Sequence, residues 1–450
     1  MIPVRLGEIR SATLVHGDPE CPLAGVVIDS RLVSQGSLFV CLRGSRVDGH
    51  DFIGEATARG AAAVLCGRGR APRAGRVAGM ETVDARATMA ELAQLVRGRS
   101  RARVIGVAGS AGKTTVKDVI RALLSPHIAT VASRASHNNE LGVPLTLTQL
   151  EPDTAACVCE LGTGAPGELA ALCSIAQPDV GVVTAIGPEH LEFFGTVAGV
   201  AAEEAALVAA LPAGAPVVFP FGERLLEPYR RAELDEWSFG LDRRADVHVL
   251  AWRPGSDVTE VALSVRGRRI DFGTNLRLPH HRLGIAAATA AYAALGLPLD
   301  AIGLGAQAIA LSPWRGQEHA LPRGGLLIND AYNANPLSVE AALEALVERR
   351  DGGRAVAVLG AMAELGPDAP RWHAGAGKLA ADLGVDLLVG VGAGARGYLD
   401  GAAGRTACVW FMDVDSCVEP LRSLLRGDDV VLIKGSRASG LERLAEALVR

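Results

Sequence analysis

The chain has 450 residues, too many for one ordinary hydrophobic core, and a prior of roughly 150 residues per domain predicts about three domains. A hydrophobic fraction of 49 % with 21 % charged residues is that of a folded globular protein and excludes disorder on a large scale. The formal net charge of -5 argues against a surface built for nucleic acid, and no apolar run approaches the roughly 20 residues of a membrane span. In chain order, Met1 leads into "IPVRLGEIR" and not into a basic, then apolar, leader, so a cytoplasmic protein is expected. The first hundred residues alternate short strands such as "GVVIDS" and "GSLFVCL" with the helical "FIGEATARGA", which predicts a separate small α/β unit ending in the charged segment "LVRGRSRAR". Beyond residue 98, the apolar runs "RVIGVAG", "AACVCELG", "DVGVVTAIG", "RAVAVLG", "DLLVGVG" and "DVVLIKGSR" alternate with amphipathic patterns, the signature of βαβ units and mainly parallel sheets. An Ala-rich helix over residues 283–295 precedes a second boundary near Ser312 and Pro313. The eight cysteines are scattered and form no C-x-x-C pair of zinc spacing; they read as small core residues of a reducing compartment, Cys157 and Cys159 sharing a strand. The expected organisation is α/β in three domains, residues 1–98, 99–312 and 313–450.

The stretch "GVAGSAGKTTVKD" carries the most chemistry. An apolar run ends at Gly109, and Val116, Val119, Ile120, Leu123 and Leu124 then follow helical spacing, so the order is strand, glycine loop, helix. In the loop formed by Gly109, Ser110, Ala111 and Gly112, the glycines let backbone N–H groups approach a phosphate, and the helix N-terminus adds partial positive charge. Lys113 reaches the terminal phosphates, and Thr114 or Thr115 offers a hydroxyl to Mg²⁺. The strict G-x-x-x-x-G-K-[ST] pattern fails because Val107 stands at its first glycine, but the shorter G-S-x-G-K-T-T form keeps the physics. A magnesium ion needs further ligands near the loop. Glu160, closing the strand "AACVCE", and His190, following "VVTAIGPEH", sit at strand ends, where open α/β sheets collect ligands.

Three collinear segments, G-S-x-G-K-T-T, "NNELGVPLTL" and "AIGPEHLEFFGT", resemble the Mur ligases. "NDAYNANPLSVEAAL", "VLGAMAELG" and "LIKGSR" in the last third, with "DSRLVSQGSLFVCLRGSRVDGHDFIGEA" in the first, are similar to the branch that joins D-alanyl-D-alanine to a UDP-N-acetylmuramoyl-tripeptide in peptidoglycan precursor synthesis. The resemblance implies a UDP-sugar-peptide domain, a central P-loop-type ATPase domain and a C-terminal Rossmann-like domain that closes over both. It also implies the chemistry: ATP phosphorylates a carboxylate, the dipeptide amine attacks the acyl phosphate, and phosphate leaves an amide behind. ATP, Mg²⁺, the UDP-sugar peptide and the dipeptide are the implied ligands, and a monomer is implied.

On the same resemblance, Lys113 and Thr114 hold ATP phosphates and Mg²⁺, with Glu160 and His190 completing metal sites. Asn138 and Asn139 lie beside the nucleotide, Arg315 reaches ATP after closure, and Asp330 bonds the ribose. Tyr332, Asn333 and Asn335 line the closing face; Lys434, Ser436 and Arg437 meet the incoming carboxylate or dipeptide. Ser30, Arg31, Asp48 and His50 are the implied UDP-sugar contacts. The pattern departs in places. Many members carry a carbamoylated lysine in the helix after the H-L-[DE] motif; here the family's spacing lands on Glu204 in "AGVAAEEAAL", and Glu204, or Glu203 in a shifted register, is expected to replace it. Arg282 stands where an asparagine meets the adenine, Ile285 replaces a second asparagine, and Ala361 and Asn329 replace acids. Because these changes cluster around ATP and metal, two further readings stay open: a relative coupling a different carboxylate and amine, and a paralogue that binds nucleotide without turnover.

Overall fold

The computed structural model describes residues 1–44 and 47–450; Ser45 and Arg46, inside the segment that resembles the UDP-sugar domain, lie outside the described residues. The chain builds three large sheets, one after another along the sequence, which is the α/β architecture expected. The first has five strands in the order Thr13–His16, Ala78–Thr82, Ala63–Gly67, Ser37–Val40, Gly25–Val27, parallel except at Thr13–His16. The segment "LVRGRSRAR" is not simply a charged connector. Most of it completes helix Ala85–Arg99, which starts where Asp84 accepts from the N–H groups of Arg86 and Ala87. The Arg97 guanidinium then donates to the carbonyls of Ala176 and Gln177 and to Asp179, so the basic residues clasp the next unit.

The central sheet has nine strands in the order Arg268–Thr274, Thr259–Val265, Val247–Pro254, Asp235–Gly240, Pro216–Pro220, Val180–Val183, Arg103–Ala108, Ala156–Glu160, Thr130–Ala132. Strand Arg103–Ala108 lies between two parallel neighbours and is covered on both faces. Ile105 and Val107 pack with helices Lys113–Leu124 and His281–Ala294, while Val104 and Ala108 pack with Leu169 and Leu172 of helix Glu168–Ala176. The Ala-rich helix expected over 283–295 spans His281–Ala294, and its fully buried Ala286, Ala287, Ala288, Ala290 and Ala291 let it lie close to helix Lys113–Leu124.

In the central sheet the expectation of mainly parallel pairing holds except at one edge. Val247–Pro254, Thr259–Val265 and Arg268–Thr274 pair antiparallel, the last two through a turn at Arg266 and Gly267, both at positive φ. A two-residue connection cannot make a parallel crossover, so local turn chemistry decides the direction. The third sheet runs Gln317–Ala320, Leu326–Asp330, Val430–Lys434, Ala355–Gly360, Leu387–Val391, Ala407–Phe411, parallel except at its first pair. Asp330 and Lys434 are register partners at the carboxyl ends of their strands. Among the described residues no helix is long and apolar enough to cross a membrane, and all eight cysteines are free.

Candidate active site

Strand Arg103–Ala108 ends at Gly109, whose φ of +120° belongs to glycine; a Cβ there would sit 2.4 Å from Thr184 Oγ1. Gly112, at φ +83°, is the N-cap of helix Lys113–Leu124 and brings no side chain to cap it, leaving first-turn N–H groups for a ligand. The loop opens on a cavity of about 310 Å³. Ser110, Ala111, Gly112, Lys113 and Thr114 line it together with Asn138, Asn139, Glu160 and His190 from the central unit. Arg315, Tyr332, Asn333, Asn335 and Lys434 complete it from the C-terminal part of the chain. Most of the expected catalytic and nucleotide residues therefore meet around one space.

Electrostatics explain why it is poised. Lys113 Nζ donates to the Gly109 carbonyl at 2.5 Å and lies 3.5 Å from Glu189 Oε1. Burial pulls the ammonium pKa down, but Glu189, Glu204 and Glu160 outweigh it and hold the lysine above its usual value. Burial pushes Glu189 up to about 8 against the pull of Lys113. Glu160 Oε1 accepts from Thr114 Oγ1 at 3.0 Å and from Asn138 Nδ2 at 2.8 Å, while its Oε2 is buried with no hydrogen-bond partner. An orphaned carboxylate oxygen beside a hydroxyl is a donor set suited to a hard, oxygen-seeking cation, so the residues fit Mg²⁺. His190, at φ 48°, lines the same cavity with Nδ1 2.5 Å from Glu364 Oε2, and burial lowers its pKa. Arg315 Nη2 donates to Thr114 Oγ1 at 3.0 Å, while its buried Nε has no partner, a free donor suited to an anion.

Glu204 lies beneath the loop, fully buried. Its Oε2 accepts from the Gly109 N–H at 2.6 Å and its Oε1 has no hydrogen-bond partner. Burial raises its pKa and the charge of Lys113 opposes the shift. Glu203 turns elsewhere, accepting from Thr163 Oγ1 and from the N–H groups of Gly167 and Leu169 at the start of helix Glu168–Ala176. Of the two glutamates, only Glu204 touches the phosphate loop.

A second, more apolar cavity of about 220 Å³ lies on the other side of the loop, lined by Thr115, Phe239, His280, Leu283, Leu337 and Asp330 among others. Asp330 accepts from Lys434 Nζ at 2.6 Å. Arg282 lines neither cavity and instead lies 3.9 Å from Glu348. Ser436 is buried, its Oγ accepting from the Ala363 N–H, and Arg437 stacks over Trp314 and pairs with Glu442. Ser30, Arg31, Asp48 and His50 belong to the first sheet's unit and do not line the central cavity. There Ser30 Oγ donates to Glu55, Arg31 pairs with Asp29, and Asp48 holds His50 and Arg70.

Two residues were not singled out in the sequence. Glu189 immediately precedes His190 in "GPEH", a local signal that points to the right strand end. Lys117 is fully buried, donates to the carbonyls of Ser133 and Ala135, and lies 4.0 Å from Glu160 Oε2. A lysine one turn after Lys113 carries no local signal that separates it from a helix-surface residue.

Known sequence families match in order along most of the chain: the Mur ligase family catalytic domain at residues 22–97, the Mur ligase middle domain at 107–292 and the Mur ligase glutamate ligase domain at 315–437. The UDP-N-acetylmuramoyl-tripeptide–D-alanyl-D-alanine ligase of Escherichia coli is 32 % identical, the match covering 100 % of this chain and 99 % of that protein. The enzyme of the same name from Mycobacterium tuberculosis is 34 % identical, over 94 % of this chain and 92 % of its own. Among solved structures, MurF of Acinetobacter baumannii superposes with a TM-score of 0.84 at 27 % identity, covering 96 % of this chain and 95 % of its own. MurF of Thermotoga maritima in complex with ADP gives 0.80 at 28 %, covering 94 % and 96 %. With a glycine loop, an orphaned carboxylate and basic residues of the C-terminal part gathered in one cavity, and relatives similar from end to end, the chain belongs to the Mur ligase family.

Proposed function

We propose that this chain is an ATP-dependent ligase that joins D-alanyl-D-alanine to a UDP-N-acetylmuramoyl-tripeptide, a step of peptidoglycan precursor synthesis, in the cytoplasm and as a monomer. The division into residues 1–98, 99–312 and 313–450 assigns the nucleotide-sugar peptide to the first unit, ATP to the second and the closing face to the third. The observation that carries the reading is the shared cavity, in which Lys113 of the phosphate loop and Arg315, Asn333 and Lys434 of the closing unit line one space. A carboxylate in water is a poor electrophile, so the enzyme's work is to bring γ-phosphate and carboxylate together and to neutralise charge.

In this reading the loop N–H groups and Lys113 hold the transferring phosphoryl group, and Arg315 supplies a second cation to it. Thr114 and Glu160, with His190, would hold Mg²⁺, which neutralises phosphate charge as the carboxylate oxygen attacks and ADP departs. Asn138, bonded to Glu160, fixes that carboxylate's orientation. The amine of the dipeptide then attacks the acyl carbon, loses its proton, and inorganic phosphate leaves. Lys434 stands at the closing edge to meet the dipeptide carboxylate, while its bond to Asp330 keeps the ribose-facing acid in place.

The test is ATP-dependent phosphate release by the purified chain against a panel of UDP-sugar peptides and dipeptides. Release only with the tripeptide and D-alanyl-D-alanine together supports the proposal; release with a different pair, or with none, removes it. Lys113→Ala is expected to lower turnover about 10²–10³-fold, the range for losing one preorganised charge at a transition state. A near-normal rate would overturn the assignment of the loop.

A further inference from the structure

The first unit carries two cysteines that the ligase chemistry does not use, beside His50, which the family resemblance makes a UDP-sugar contact. Cys41 follows strand Ser37–Val40 and Cys66 lies in strand Ala63–Gly67; the parallel register pairs Val40 with Leu65 and so sets the two cysteines side by side. Both are buried, and their Sγ atoms are 3.7 Å apart. His50 approaches from the turn Gly49–Phe52 with its side chain only 8 % exposed. One ring nitrogen and the two sulfurs all lie within 4.8 Å of one another.

We propose that Cys41, Cys66 and His50 form a binding site for a thiolate-seeking divalent cation of the zinc type, which ties the Gly49–Phe52 turn to the first sheet. The geometry matches in two independent ways. Around a tetrahedral ion with metal–sulfur bonds of about 2.3 Å, neighbouring sulfurs stand about 3.8 Å apart, close to the 3.7 Å between Cys41 and Cys66. The histidine is set up as a ligand: Nδ1 lies 2.6 Å from Asp48 Oδ1, which fixes the proton on that nitrogen and makes Nε2 the unprotonated one. The Nε2 lone pair accepts from the Gly67 N–H at 3.0 Å, a bond that a coordinated cation replaces. A carboxylate on the far nitrogen is the support that metal-bound histidines carry.

Charge balances as well. Binding of the cation expels the two thiol protons to solvent, and two thiolates with a neutral imidazole cancel a double positive charge, so the burial of Cys41 and Cys66 is no obstacle. The hydrogen bond from Cys66 to Cys41 already links the two sulfurs. The spacing rule applied to the sequence missed this site because its donors come from two neighbouring strands and a turn, not from one C-x-x-C segment.

Cobalt(II) is the probe, because only sulfur ligation gives it an intense thiolate charge-transfer absorption; the oxygen and nitrogen donors of the nucleotide cavity do not. The full-length chain, reduced with a phosphine, is expected to bind one Co²⁺ per chain with that absorption, and Zn²⁺ is expected to displace it. Cys66→Ser and Cys41→Ser should each abolish the band, while a Cys157→Ser, Cys159→Ser double variant, which alters the other close sulfur pair, should keep it. Asp48→Asn should weaken Co²⁺ affinity about 10–100-fold by loosening the histidine. Absence of the band in the reduced protein, its survival in Cys66→Ser, or its loss only in the Cys157 and Cys159 variant would each overturn the proposal.

Discussion

Glu204 and Glu203 are neighbours in one helix with different work, and the structure separates them cleanly. Glu204 accepts from the N–H of Gly109 beneath the phosphate loop, whereas Glu203 accepts two N–H bonds at the start of helix Glu168–Ala176 and one from the Thr163 hydroxyl. If Glu204 supplies the negative charge that a carbamoylated lysine gives elsewhere in the family, it does so without carbon dioxide. Turnover should then be indifferent to added bicarbonate, and Glu204→Ala should lose most of kcat while the fold stays intact. Glu203→Ala should behave as the loss of a helix cap, lowering stability by about 1 kcal/mol with little change in kcat. Steady-state rates with and without bicarbonate, together with urea midpoints, read both variants; bicarbonate stimulation of the wild type would end this account of Glu204. At this scale the sequence was informative where a residue sits inside a contiguous motif, as Lys113 and Thr114 do. It was silent about Lys117 and about the turning away of Arg282, because both depend on what packs opposite them in space.

The loop-bearing element obeys the same division. The strand, glycine turn and helix were legible because a buried strand's apolar run and a helix's 3.6-residue period are local properties. The antiparallel strands of residues 247–274 were missed because an edge hairpin in a parallel sheet carries only a short turn signal, and the clasp of Arg97 because charged residues at a helix end read as solvent-facing. Gly109 and Gly112 show how far a motif alone falls short, since sequence makes them equivalent and structure does not. A Cβ at Gly109 would meet the Thr184 backbone N at 2.8 Å and the Ala185 carbonyl oxygen at 2.9 Å, while a Cβ at Gly112 meets nothing within 4 Å. Gly112→Ala should therefore cost only the left-handed backbone penalty of about 1–2 kcal/mol. Gly109→Ala should cost clearly more, since backbone atoms cannot step aside as a flexible side chain can, and it should also weaken nucleotide binding. Thermal midpoints and ATP titrations of the two variants test the ordering; equal losses would mean that the turn relaxes and the contact with Thr184 is unimportant.

At the scale of the whole molecule, Leu191 and Leu278 of the central unit pack against the C-terminal core, and polar contacts between the two units gather around the cavity. Asn335 Nδ2 donates to the Ser110 carbonyl at 3.0 Å, Arg315 reaches Thr114, Tyr332 bonds Ser136, and His190 meets Glu364. Trp314 stacks on Tyr332 beside Arg437, at the point where the chain passes from one unit to the next. Contacts of this kind are worth about 0.5–1.5 kcal/mol each, so each adds a modest increment to the junction, and a ligand held by residues of both units would add to it. Asn335→Ala removes the bond to Ser110 and the helix cap at Ser338 together, and should shift the population toward open forms. The KM for ATP is expected to rise several-fold with a smaller change in kcat at saturation, because excess nucleotide restores closure. Small-angle scattering should show a larger radius of gyration for the variant than for the wild type at the same subsaturating concentration of a non-hydrolysable ATP analogue, with the two curves converging at saturation. Superimposable curves at every concentration would mean that the units are rigidly joined and that these contacts decorate the interface without controlling it.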